Sequence, residues 1–232
     1  MAGQLPLVLD RPDAHRLELF EPGTECREAW SRVWAVIEGR ERFAFLWGEA
    51  GSGKTHLLEG AAREARGTYL DLASMHEEVT AAGLDPEQVL DPGLGPGLVA
   101  VDGLEAVAGE DAWERAVFHL YNQVNEEGGR LLAAARGNPG SLGLCREELR
   151  TRLSWGGSYP LGRLSDEERL EALRRHAEAR GLALKTEVGR FLLRHYSRSL
   201  PSLVAALERL DAAALAERRR LTVPFIKARL GL

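Results

Sequence analysis

The stretch "WGEAGSGKTHLLEG", residues 47–60, decides how the rest of the chain is read. Gly48, Gly53, Lys54 and Thr55 satisfy G-x-x-x-x-G-K-[ST] in full, and the apolar run "FAFLW" at 43–47 leads directly into it. In such a loop the glycines let backbone N–H groups curl around phosphate oxygens, and the following helix adds the positive end of its dipole. Lys54 reaches the outer phosphates and the Thr55 hydroxyl is a magnesium ligand. Gly51, Ser52 and His56 complete the candidate nucleotide-contacting set, with His56 a packed or surface residue and not a catalytic one.

Further short apolar runs recur along the chain: "TYLDL" at 68–72, "LVAV" at 98–101, "LLAAA" at 131–135 and a weaker "SYPL" at 158–161. Strands separated by helical stretches predict an α/β fold with a parallel sheet covered on both faces, its ligand at the carboxyl ends of the strands. The run at 98–101 delivers Asp102, where a second carboxylate holds the hydration shell of magnesium; the plainer alternative is a turn aspartate at a strand end. The next residue is Gly103, where a hydrolytic enzyme of this type carries an acid to orient water, and a glycine cannot do that. Glu105 has the wrong spacing for the task and reads as an exposed loop carboxylate.

From Ser165 onward the pattern is helical. Ser165 and Glu168 have capping-box spacing, Leu170 and Leu173 share a face, and Gly181 ends the segment. Helical segments follow at 186–197, at 199–220 with Pro201 in the first turn, and from Thr222. The predicted organisation is an N-terminal peptide (1–12), an α/β nucleotide-binding domain (13–163) and a small all-helical lid (164–232). The Pro/Gly-rich stretch 84–97 is read as a loop.

Composition narrows the functional classes. A net charge of -5 argues against blanket neutralisation of nucleic-acid phosphates, so contact with DNA is expected mainly through a partner. The basic "AERRRL" at 216–221 reads as a solvated helix face. Cys26 and Cys145 lack metal-ligand spacing and are expected to be reduced thiols. The N-terminus has no secretory pattern, and no apolar run approaches the ~20 residues that span a bilayer, so a cytoplasmic protein without membrane contact is expected.

The order of the loop, "VAVDGLEAVAGEDAWE" (99–114), "VFHLYNQV" (117–124), "TRLSWG" (151–156), "LSDEERLEALRRHAEARGL" (164–182) and "RRLTVPFIKARL" (219–230) resembles the Hda subfamily of the DnaA-related AAA+ ATPases. The resemblance covers nearly the whole chain. It implies a five-stranded parallel sheet with flanking helices and a helical lid, with an adenine nucleotide, ADP or ATP, and magnesium held between them. It also implies a role: with the DNA-loaded sliding clamp, such proteins stimulate hydrolysis of ATP on the initiator DnaA and so restrain replication. The further DNA-binding domain that follows the lid of the initiator has no counterpart before Leu232.

By the same resemblance, "QLPLVL" at 4–9 is a clamp-binding peptide, with Gln4, Leu5, Leu7 and Leu9 as its contacts. "LELFEPG" at 17–23 matches the stretch that packs on adenine, which leaves Leu19 and Phe20 as adenine contacts or as ordinary core. Arg152 in "TRLSWG" matches the arginine finger that points at the nucleotide of an adjacent subunit; the alternative is a surface arginine, with Arg150 equally exposed. Three departures from the family pattern bear on turnover. Gly103 replaces the second acid, Arg136 stands at the sensor position after the fourth strand with Asn138 close by, and Pro201 replaces the nucleotide-sensing arginine of the lid, with Arg198 as a substitute. Expected from this is a protein that binds nucleotide, turns it over slowly, and acts on the ATP of a partner. The rivals are a self-sufficient ATPase of helicase-loader type and a DnaA-paralogue binding module without catalytic effect; a homo-oligomer is left open.

Overall fold

Short runs of apolar residues bordered by glycine build the sheet. The computed structural model describes residues 16–90, 97–217 and 219–231. The five strands are β1 (Phe43–Trp47), β2 (Thr68–Asp71), β3 (Leu98–Asp102), β4 (Arg130–Ala135) and β5 (Ser158–Pro160), all parallel in the order β2-β3-β4-β1-β5. Each apolar run read from the sequence became a strand.

Side chains alternate across the sheet, and both faces are covered. Ala44 and Leu46 of β1 face α1 (Arg27–Ile37) and α2 (Lys54–Glu64), joining Val33, Leu57 and Leu58 in one core. Phe43 and Phe45 point the other way, toward Trp113 and Leu120 of α5 (Asp111–Glu126) and Leu149 and Leu153 of α6 (Glu147–Trp155). A strand buried on both faces shows no polar alternation, which is why "FAFLW" and "LLAAA" read as unbroken apolar runs.

Between β2 and β3 lie α3 (Leu72–Ala82) and the short α4 (Pro86–Val89). The latter corrects the expectation of a loop over 84–97. Asp85 caps it by accepting a bond from Glu87 N–H, and Pro86 sits in the first turn, where its missing N–H costs nothing.

The lid comprises α7 (Asp166–Glu178), α8 (Thr186–His195), α9 (Leu200–Glu217) and α10 (Val223–Leu230) around Leu173, Val188, Leu192, Leu207 and Ile226. The capping box is present, and Glu168 does more than cap: it also accepts bonds from the Thr24 N–H (2.7 Å) and hydroxyl (2.9 Å). The Ser165 and Thr24 donors pull its carboxyl down to about 2. Arg175 pairs with Glu21 at 3.0 Å, so α7 is tied twice to the segment preceding α1. Among the described residues no helix is long and apolar enough to cross a membrane.

Candidate nucleotide site

The loop from Gly48 to Gly53 joins the end of β1 to the start of α2, beside the end of β4, where Gly48 N–H donates to Ala135 O (3.2 Å). Gly53 has φ +96, and a Cβ there would stand 2.7 Å from Phe20 Cε2. Any larger residue would be strained and would push Phe20 off the loop. Lys54 is buried and its ammonium donates to Gly48 O (2.6 Å) and Glu49 O (3.0 Å), with Ser52 Oγ at 3.4 Å. Burial lowers its pKa, while the charges of Asp102 and Glu105 oppose the shift.

Thr55 Oγ1 donates to Asp102 Oδ2 at 2.6 Å, so the two groups expected to share magnesium are in direct contact. The same oxygen accepts from Tyr69 OH (3.2 Å). Burial raises the Asp102 pKa, and these hydroxyls together with the charge of Lys54 work to keep it ionised. Tyr69, on β2, was not among the candidates read from the sequence; nothing in "TYLDL" reveals that its hydroxyl reaches across to β3.

These groups fit a magnesium nucleotide. A curled loop with a helix N-terminus, a buried ammonium, a hydroxyl and a carboxylate form the donor set that holds the phosphates and the ion. Lys54, now on the loop carbonyls, is the group that would turn to the phosphate oxygens of such a ligand. Lys54→Ala is therefore expected to weaken nucleotide binding about 100-fold, and to abolish the rise in melting temperature that nucleotide gives. Calorimetric titration with and without magnesium checks this.

Gly103 has φ +78, and a Cβ there would lie 3.8 Å from Asp71 Oδ1. Asp71 caps α3 through Ala73 N–H and Ser74 Oγ. A water-orienting acid at 103 would need a left-handed backbone beside an existing carboxylate, which explains physically why glycine stands there.

Phe20 is buried against the loop and stacks on Trp30 at 5.2 Å, with its edge toward His56. Leu19 is half-buried in a 3-10 turn, Leu17–Leu19. His56 Nε2 lies 2.7 Å from Arg16 O and 6.2 Å, ring to ring, from His176 of the lid. Phe20 and His56 thus line the junction of loop and lid. Pro201 is the second residue of the lid helix α9, and Arg198 faces Asp166 at 3.9 Å.

Glu105 departs from its expected role as an exposed loop carboxylate. Half-buried, it accepts a bond from Arg136 N–H and pairs with Arg136 Nε, each at 3.1 Å.

Arg152 stands apart from the loop. It projects from α6 over the rings of Tyr121 (5.9 Å) and Trp155 (4.8 Å), and Trp155 is 69% exposed. Arg150 is paired with Glu147, whereas Arg152 has no carboxylate partner among the described residues. The N-terminus of α6 is fixed by Glu114 of α5. Its fully buried carboxylate accepts bonds from Gly109 N–H (2.7 Å), Cys145 N–H (3.0 Å) and Arg146 N–H (2.8 Å). Gln4, Leu5, Leu7 and Leu9 lie outside the described residues.

The sheet order, the loop and the helical C-terminal region give the class of fold: an AAA+-like α/β domain with a helical lid. Domain III of the Thermotoga maritima initiator DnaA superimposes with a TM-score of 0.75 at 19% identity, covering 92% of this chain and 94% of that one. An initiator DnaA bound to AMPPCP and single-stranded DNA gives 0.64 at 23% identity, over 88% and 69%. The Thermotoga maritima RuvB branch migration motor gives 0.61 at 16%, over 90% and 71%. Residues 166–230 match the lid domain of Hda. The fold over the whole chain is similar to that of DnaA domain III, and the helical C-terminal part is similar to the Hda lid.

Proposed function

We propose that this protein restrains initiation of bacterial chromosome replication by promoting hydrolysis of the ATP held by the initiator DnaA. It acts while docked on the DNA-loaded sliding clamp, and it carries an adenine nucleotide with magnesium as its own structural cofactor. The observation that carries this reading is the pairing of an intact phosphate loop with Gly103: a site furnished to hold nucleotide, without the acid that orients water. The Hda lid and the DnaA-like fold support the choice of partner. Arg152, without a carboxylate partner among the described residues and displayed with an exposed tryptophan, is the group supplied to the partner, as an arginine finger acting in trans.

In this mechanism the protein's own residues hold and orient. Gly48 to Gly53 would cradle the phosphates, Lys54 would neutralise them, Thr55 and Asp102 would hold the ion, and Phe20 and His56 would close the site toward the lid. The guanidinium of Arg152 neutralises charge on the phosphoryl group transferring in the adjacent molecule, a task for a planar fork more than for an ammonium. The protein works in the cytoplasm, and DNA is reached mainly through the clamp.

Two measurements test the assignment of partners. Purified alone with magnesium and ATP, the protein is expected to turn over well below ~1 s⁻¹, and an ordinary ATPase rate would favour the self-sufficient enzyme instead. Replacing Gln4 and Leu7 with alanine is expected to abolish capture by immobilised clamp while leaving the melting temperature unchanged. Intact capture by that variant, accompanied by a large loss of stability, would assign these side chains to the protein's own core.

A further inference from the structure

Asp102 closes β3, and the neighbouring strand β2 governs how its carboxylate is held. The two strands are parallel, with Tyr69 opposite Ala100 and Asp71 opposite Asp102. Residues two apart on a strand share a face, so Tyr69, Ala100 and Asp102 all project toward α2, where Thr55 of its first turn meets them. Ala100 is fully buried and carries only a methyl group, which leaves the Tyr69 ring room to lie along the sheet. Two residues of strand cover about 7 Å, within reach of a phenol. The Tyr69 hydroxyl accordingly arrives at Asp102 Oδ2 with a 3.2 Å bond.

The two hydroxyls on Asp102 differ in kind. Thr55 and Tyr69 both donate to Oδ2, at 2.6 and 3.2 Å, which fills the acceptor positions of that oxygen and spends neither hydroxyl on Oδ1. Thr55 gives its one proton to the carboxylate and keeps oxygen lone pairs that an ion can use. Tyr69 lies outside the phosphate loop, its ring partly buried in the core shared with Leu58 and Ala61, so strand pairing sets the position of its hydroxyl. The Gly103 N–H adds a main-chain hold on the same carboxylate. Pinned in this way, Asp102 presents Oδ1 in a fixed direction.

A fixed carboxylate discriminates between ions. Magnesium demands near-ideal octahedral geometry and dehydrates reluctantly, whereas calcium takes carboxylates through one oxygen or two within a looser shell. A constrained Oδ1 is an advantage to the first ion and matters little to the second. Groups that orient a metal ligand without touching the metal typically govern about ten- to a hundredfold in metal affinity.

We propose that Tyr69 is a positioning residue that fixes the Asp102 carboxylate and thereby selects magnesium over calcium at the nucleotide site. This rests on the nucleotide-binding part of the proposed function and is independent of Arg152.

The test is calorimetric titration of the full chain with ADP in three solutions: chelator without divalent ion, magnesium, and calcium. Wild type is expected to gain more affinity from magnesium than from calcium. Tyr69→Phe keeps the ring and removes only the hydroxyl, so its melting temperature without nucleotide is expected to stay within about 4 °C of wild type. Its affinity for ADP is expected to stay within about twofold of wild type in chelator and in calcium, and to fall about tenfold in magnesium. A role in packing alone would move all three affinities together. Equal losses in the three solutions, or no loss in magnesium, would overturn the assignment. Wild type that gains nothing from magnesium would overturn it while leaving the loop as a nucleotide site. Wild type that binds ADP in none of the three would overturn it together with the cofactor role of the loop.

Discussion

Arg152→Ala is expected to bind nucleotide and clamp as the wild type does and to lose most of its stimulation of initiator-bound ATP hydrolysis. An arginine finger in better-studied nucleotide hydrolases is worth ~10³ to 10⁵ in rate, so the loss should dwarf any effect of a changed surface contact. The local structure explains why the choice falls on 152 and not 150. Arg150 already spends its charge on Glu147, one turn earlier on the same helix. Arg152 is held over Tyr121 and Trp155, an arrangement that keeps the guanidinium extended without neutralising it. Arg152→Lys is expected to recover little, because an ammonium cannot present two parallel donors to a phosphoryl group. Arg150→Ala serves as the matched control and is expected to stimulate as wild type does. Equal behaviour of the two alanine variants would make Arg152 a surface residue.

Glu114→Ala is expected to give the largest loss of stability of any single substitution considered. The carboxylate is fully buried, and its removal leaves three inward N–H groups, of Gly109, Cys145 and Arg146, without their acceptor. At about 1 to 3 kcal/mol for a buried donor left unpaired, a cost of about 3 to 5 kcal/mol follows once partial rehydration is allowed for. For a chain of this size that lowers the melting temperature by about 6 to 20 °C, measurable by thermal denaturation. Glu114→Gln is expected to recover only part, since an amide turns one of its two acceptor atoms into a donor that faces an N–H.

The pH dependence has a definite sign. Burial alone would raise the Glu114 pKa, but the Cys145, Arg146 and Gly109 donors outweigh it and hold the carboxyl below its ordinary value. A depressed folded-state pKa contributes stability that is fully present above the unfolded value. That stability is lost as pH falls through the folded one, so the wild type should lose its advantage over Glu114→Ala only in acid. Because the same carboxylate fixes the start of α6, Glu114→Ala should also lower stimulation through a displaced Arg152.

The sequence disclosed what depends on neighbours along the chain. The strands were legible because a doubly covered parallel sheet leaves apolar runs with no polar interruption. The phosphate loop was legible because its chemistry needs fixed residue types at fixed spacing. The Ser165–Glu168 capping box and the Thr222 cap were legible for the same reason, and Thr222 Oγ1 does accept from Phe225 N–H.

What escaped depends on residues brought together from a distance. Glu114 sits in "DAWERAVFHLY" like any solvated glutamate on an amphipathic helix, and only the return of the chain at 145–146 buries it. Glu105 could not be distinguished from a loop carboxylate until β4 placed Arg136 beside it. Tyr69 belonged to an apolar run, and its hydroxyl found Asp102 through strand pairing alone. The helix at Pro86–Val89 was hidden because proline and aspartate signal a turn and a helix start equally well.

The most direct test of action in trans keeps the two nucleotides apart. Initiator is loaded with ATP labelled on its terminal phosphate, the present protein is loaded with unlabelled ADP, and the two are mixed with clamp assembled on DNA in a single-turnover measurement of released phosphate. Label released can then come only from the initiator. The account predicts rapid release with the wild-type protein and release at the initiator's own slow rate with Arg152→Ala. Release at that slow rate with the wild-type protein, once it is shown to be bound to the clamp, would contradict the account.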